Sequence, residues 1–202
     1  MRKVKLAVAR YLFFLAIQLR LYTNWSRLHR YLFDGVAKNT TLPTFTTVEE
    51  VGWYIRGFSW RPDSWIDLGD AICSPEMVWY RYLNGIQGAG DCDEFAVFLA
   101  NVIEKSIEAG TWRSSISDPD ILTVTWMNPD GSLSGHIVCL LQFVRTEAPW
   151  SYGYMDYDLP RWCGTSENDA AQAVLRRYAP GGELIGWAVH SPKLKKRSVY
   201  LP

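Results

Sequence analysis

The sequence predicts an α+β fold, with a central helix packed on an antiparallel sheet behind an N-terminal helical extension. Three observations carry the prediction. Phe95, Leu99, Val102, Ile103 and Ile107 repeat at helical spacing. From Ile121 onward the apolar pattern changes to short β-rich runs separated by turn residues. The chain has 202 residues, 48% hydrophobic and 21% charged, which supports a full core rather than disorder.

Residues 1–36 read as helix, with a basic start followed by an apolar, aromatic-rich pattern running to Phe33. Arg10 and Arg20 bound the most apolar run, which is too short to span a bilayer. No small-residue cleavage site follows, so a signal peptide fits poorly. Residues 1–38 are expected to form a basic amphipathic helix that docks on its own domain, on a partner protein or on a membrane surface, with packing on protein preferred. Residues 39–47 read as linker by composition, and residues 48–202 as the main domain.

Val48 to Ile55 suggests a short helix or turn. Pro62, Gly69 and Pro75 break the chain from Ser59 to Pro75. Ser74 is a candidate N-cap for a helix over Glu76 to Leu83 with Pro75 at its first turn. Asp91 and Glu94 form a capping-box pattern ahead of the central helix, which Gly110 should end. Strands are expected at Ile121 to Met127, at Gly135 to Val144, at Tyr152 to Asp158 and at Leu184 to His190. The second is apolar on both faces and so should be central. Asn128-Pro-Asp-Gly131 is a turn, and Ser166 to Tyr178 a helix capped by Ser166 or Asn168.

Lys plus Arg equals Asp plus Glu at 21 each, so no global field draws the protein to nucleic acid, and none is expected as a partner. Four cysteines form no CxxC pair, and three histidines complete no zinc spacing. No metal or cofactor is therefore expected, and a reducing compartment fits best. Cys139, in an apolar run, reads as a small buried hydrophobe. The 10 tryptophans read mainly as packing, or alternatively as the lining of a cleft for peptides or sugars.

Cys92 follows the Asp91 cap, which places it in the first helical turn. There the helix dipole and free N–H groups favour a thiolate and can hold an oxyanion. Glycines 88 and 90 leave room for a carbonyl to approach. Asp91, Asp93 and Glu94 oppose thiolate formation, so a cationic partner is needed. His136, opening the central strand, is the natural one, because His29 and His190 look like surface residues. A carboxylate on the adjacent strand should orient the imidazole. Asp156 and Asp158 share strand parity, so alternation cannot separate them. Asp156, 20 positions after the histidine, is preferred, with Asp158 as the alternative.

Gly90-Asp-Cys-Asp-Glu-Phe-Ala96, the later Gly135-His136 strand and an aromatic strand bearing Asp resemble the transglutaminase-like superfamily of papain-fold proteins. Arg61-Pro-Asp63, Asp67, Ser74-Pro-Glu76 and Trp79 are similar to the approach to the cysteine in bacterial and phage transglutaminase-like cysteine proteinases. The resemblance covers roughly residues 48 to 190. It implies a papain-like core with Cys92 as nucleophile, His136 as general base and acid, and Asp156 as the orienting acid. It also implies a thiol-dependent peptidase, amidase or acyltransferase acting on a peptide or protein. The cellular setting is expected to be cytoplasmic or virion-associated, with secretion left open. Gln87 is the papain-like candidate for the side-chain half of the oxyanion hole, and Trp79 or Trp65 the transglutaminase-like one. Many relatives carry a Gly-Trp pair just before the acid, whereas here Trp150 lies six positions upstream. The alternative reading is a catalytically silent module that serves as a structural or binding component of a phage or bacterial surface assembly.

Overall fold

The computed structural model describes residues 7–8, 10–16, 37, 39–59, 73–86, 90–143 and 151–201. Gln87, Trp65, His29 and the Arg61 to Asp67 stretch lie outside the described residues, as does most of the expected N-terminal helix. Among the described residues the chain is α+β. Besides the helical residues 7–8 and 10–16, four helices, α1 (Val48–Ile55), α2 (Pro75–Leu83), α3 (Cys92–Glu108) and α4 (Glu167–Tyr178), accompany six strands. These are β1 (Ile116–Met127), β2 (Leu133–Phe143), β3 (Tyr152–Met155), β4 (Arg161–Gly164), β5 (Glu183–His190) and β6 (Lys196–Tyr200). They form one antiparallel sheet in the order β4-β3-β2-β1-β5-β6.

The double-sided apolar character of β2 and β1 follows from their central place. Ile121, Ile137, Cys139, Leu141 and Met155 face α3, where Phe95, Leu99 and Val102 complete one core. Leu122, Val124, Val138, Leu140 and Tyr154 alternate with them and face α4, where Ala170, Val174 and Leu175 complete a second. Leu99 has no exposed surface. Cutting such a side chain to alanine costs about 2–5 kcal/mol, the lost transfer energy plus a cavity.

Helix starts follow the local sequence. Thr47 caps α1 and Ser74 caps α2, each accepting from a backbone N–H of the first turn. α3 begins with the Asp91–Glu94 capping box and α4 with one made by Ser166 and Asp169. Past the end of α3, Gly110 adopts a φ of 69°, the left-handed conformation that closes a helix without a Cβ clash.

Four expectations change. Residues 39–47 are irregular, as their composition suggests, but they are strapped to the domain. Leu42 and Phe45 are buried, the Phe45 N–H donates to Ser106 Oγ at 2.9 Å, and Lys105 Nζ donates to the Leu42 carbonyl at 2.6 Å. The third expected strand ends at Met155, which pairs with Cys139, so Asp156 and Asp158 lie in a bend rather than on β3. Two short edge strands, β4 and β6, extend the sheet, and neither shows enough alternation to stand out in the sequence. His190 is not a surface residue: it is fully buried at the end of β5, opposite Ile121. None of the four cysteines is joined in a disulfide, and Cys139 is fully buried. No helix among the described residues is long and apolar enough to cross a membrane.

Candidate active site

The N-terminus of α3 points at the edge of β2 that β3 has vacated. Cys92 is the first residue of that helix and is half-buried. Beyond the Cys139–Met155 pair, β2 has no β3 partner, and the backbone N–H of Ile137 faces the Cys92 sulfur. The sulfur therefore sits beside the backbone of the residue that follows His136.

The capping box uses most of the helix end. The Asp93 N–H donates to Asp91 Oδ1 at 3.2 Å, and the Glu94 N–H donates to Asp93 Oδ1 at 3.1 Å. Glu94 reaches back in turn, accepting from the Asp91 N–H at 2.9 Å and from the Cys73 N–H at 3.1 Å. A Cβ on Gly90 would come within 3.0 Å of Glu94 Cγ and Oε2, so the glycine makes room for this buried carboxyl group. The Cys92 N–H is the first-turn donor left outside these caps.

The electrostatics follow from that wiring. Burial, then the Asp93 and Asp91 carboxylates, push the Cys92 thiol far above the ordinary thiol range, with a smaller push from Asp156. The Ile137 N–H works the other way. Burial and Asp91 also raise the Glu94 carboxyl, against the N–H groups of Asp91 and Cys73. Burial first, and then the charges of Asp93 and Asp91, thus favour the neutral thiol over the thiolate.

His136 and Asp156 are brought together, Nε2 to Oδ2, at 3.1 Å, with both side chains largely buried. Strand alternation sends His136 toward α4, and its ring lies 4.0 Å, centroid to centroid, from Tyr178 at the end of that helix. Tyr157 is 6.1 Å away and meets Phe95 of α3 edge-on at 5.2 Å. Oδ1 of Asp156 is buried with no hydrogen-bond partner among the described residues. Asp158, two residues on, faces outward and pairs with Arg56, while Arg161 lies 3.9 Å away. The Leu159 N–H and then Arg56 hold its carboxyl below the usual carboxylate range. Of the two aspartates the sequence left open, only Asp156 contacts the histidine.

Trp79 is part of the aromatic core. Its ring stacks with Tyr82 at 5.2 Å and with Phe98 at 6.1 Å, and Phe58 and Tyr54 pack nearby. Asp91, Cys92 and Asp93 present three potential metal ligands within 4.8 Å of one another. Both carboxylates already accept from helix N–H groups, and that capping draws them together. Tyr178 went unnoticed in the sequence. Its helix is legible there, but no local signal says that the helix ends over His136.

In comparisons with known proteins, the chain matches no family model and no curated protein.

Proposed function

We propose that Cys92, His136 and Asp156 form a thiol acyl-transfer site of the papain-like, transglutaminase-like kind, acting on amide bonds of a peptide or protein. The observation that carries the reading is the His136–Asp156 contact at 3.1 Å, beside a cysteine at the start of a buried helix. Asp156 holds Nε2 and so leaves Nδ1 as the ring nitrogen for exchange with the sulfur.

Because the resting thiol is neutral, its proton moves to Nδ1 as the sulfur attacks the carbonyl carbon. The Cys92 N–H donates to the oxygen that becomes negative. Collapse of the tetrahedral adduct breaks the C–N bond, and the imidazolium returns its proton to the leaving amine. The thioester that remains is cleaved by water, which His136 deprotonates, or is passed to a second amine.

Acylation by p-nitrophenyl acetate tests the reading. Wild type should release nitrophenolate in a burst and carry an acetyl group on Cys92 by intact mass, and Cys92→Ala should show neither. A wild type that stays unmodified would sink the proposal.

One observation favours a second reading, a catalytically silent module. Asp91 and Asp93 disfavour the thiolate at the position where an enzyme needs it. In that case the contacts around His136 would serve stability, and substitution there would lower thermal stability without any activity to lose.

A further inference from the structure

The helical residues 7–8 and 10–16 have two faces. Arg10 and Phe14 turn inward. Arg10 donates to both oxygens of Glu183, at 2.9 and 2.7 Å, and Phe14 is buried against Ile185 and Ala188 of β5. Val8, Tyr11 and Leu12, spaced i, i+3 and i+4, turn outward and are 51%, 51% and 58% exposed. Docking on the domain accounts for the inner face only. A helix in water should be polar on its outer face, and this one is not.

The apolar surface continues onto the sheet edge. Leu201 and Phe14 both close over Gly186, where a Cβ would lie 3.0 and 3.2 Å from their Cδ2 atoms. Val199, opposite Ala188 on the same sheet face, and Leu201 are themselves exposed.

Charge decides what covers this surface. The first thirty residues carry Arg2, Lys3, Lys5, Arg10, Arg20, Arg27 and Arg30 and no acid. The whole chain has 21 basic and 21 acidic residues, so the remainder carries seven more acids than bases. The charge is thus segregated, with the basic end bearing the apolar stripe. Two copies docked through this end would bring like charges together. A surface of anionic lipid would attract the basic residues and repel the acidic body, which orients the molecule. We infer that the Val8–Tyr11–Leu12 face lies in the headgroup region of an anionic lipid surface, with the helix parallel to the membrane plane. The inference is independent of the chemistry proposed for Cys92.

Co-sedimentation of the full chain with sucrose-loaded vesicles tests this. Binding to vesicles of phosphatidylcholine mixed with phosphatidylglycerol should exceed binding to phosphatidylcholine alone by about tenfold or more, and high salt should reverse it. The double variant Tyr11→Asp, Leu12→Asp should lose about tenfold in partition. Should it fail to fold, Lys3→Glu with Lys5→Glu offers the same test through charge. Equal binding to both vesicle types, or variants that bind as the wild type does, would overturn the inference. So would absent vesicle binding with a monomer–dimer equilibrium that the same variants abolish, which would assign the face to a second copy.

Discussion

Helices α3 and α4 start with the same device in two different environments. At α4 the cap is Ser166, and Asp169 accepts from the Thr165 and Ser166 N–H groups at 2.9 and 3.1 Å near the surface. Those bonds, the Thr165 one foremost, hold the Asp169 carboxyl below its usual range. At α3 the cap is itself a carboxylate, Asp91, and the N3 carboxyl of Glu94 is buried and raised. One capping box is thus stabilised by its charge, while the other carries its charge at a cost beside a cysteine. The motif fixes where a helix begins, and burial then fixes what the motif does to the protons around it.

Breaking the proposed site gives the largest effect. His136→Ala should reduce acylation of Cys92 by p-nitrophenyl acetate about 10²–10⁴-fold, read from the nitrophenolate burst. The two caps should then differ in stability. Glu94→Ala leaves the Asp91 and Cys73 N–H groups without an acceptor and should cost about 2–4 kcal/mol in urea unfolding. Ser166→Ala should cost about 1 kcal/mol.

The pH dependence sharpens the contrast. Asp169 is depressed on folding, so its contribution is present above its unfolded pKa and is lost as pH falls through the folded one. Glu94 is raised, so its contribution is full below its unfolded pKa of 4.5 and is lost as pH rises through the folded one. In melting temperatures measured across pH, Glu94→Gln should therefore gain on the wild type as pH rises above about 4.5, whereas Asp169→Asn should fall behind as pH rises toward about 3.8 and keep a constant deficit above it. Smaller still, Asp91→Asn should speed Cys92 alkylation severalfold at pH 8 by removing one of the charges that raise the thiol, with Asn retaining the cap.

Local chemistry was legible in the sequence, and its three-dimensional consequences were less so. The Asp91–Glu94 box, the Ser74 and Ser166 caps, the Gly110 stop and the central place of β2 could be read because each depends on a few neighbouring residues or on apolar period. Asp156 and Asp158 share parity, so alternation could not separate them, and in the fold neither lies on a strand. The chain turns off at Met155, and the bend gives one carboxylate to His136 and the other to Arg56. His190 read as surface because a polar residue near the chain end usually is, yet pairing with both β1 and β6 encloses it. The packing of Tyr178 on His136 joins residues 178 − 136 = 42 positions apart, which no window of residues reveals.

The central claim is that Cys92 and His136 act as one unit, and the rate of Cys92 alkylation by iodoacetamide across pH tests it most directly. Mass spectrometry would read the modified residue in wild type and in His136→Ala. With the imidazole taking the thiol proton, the wild type should react at least about tenfold faster near neutral pH. The two curves should converge at high pH, where solvent ionises the thiol in both. Coincident curves at every pH would mean that His136 does nothing for the sulfur, and would contradict the account.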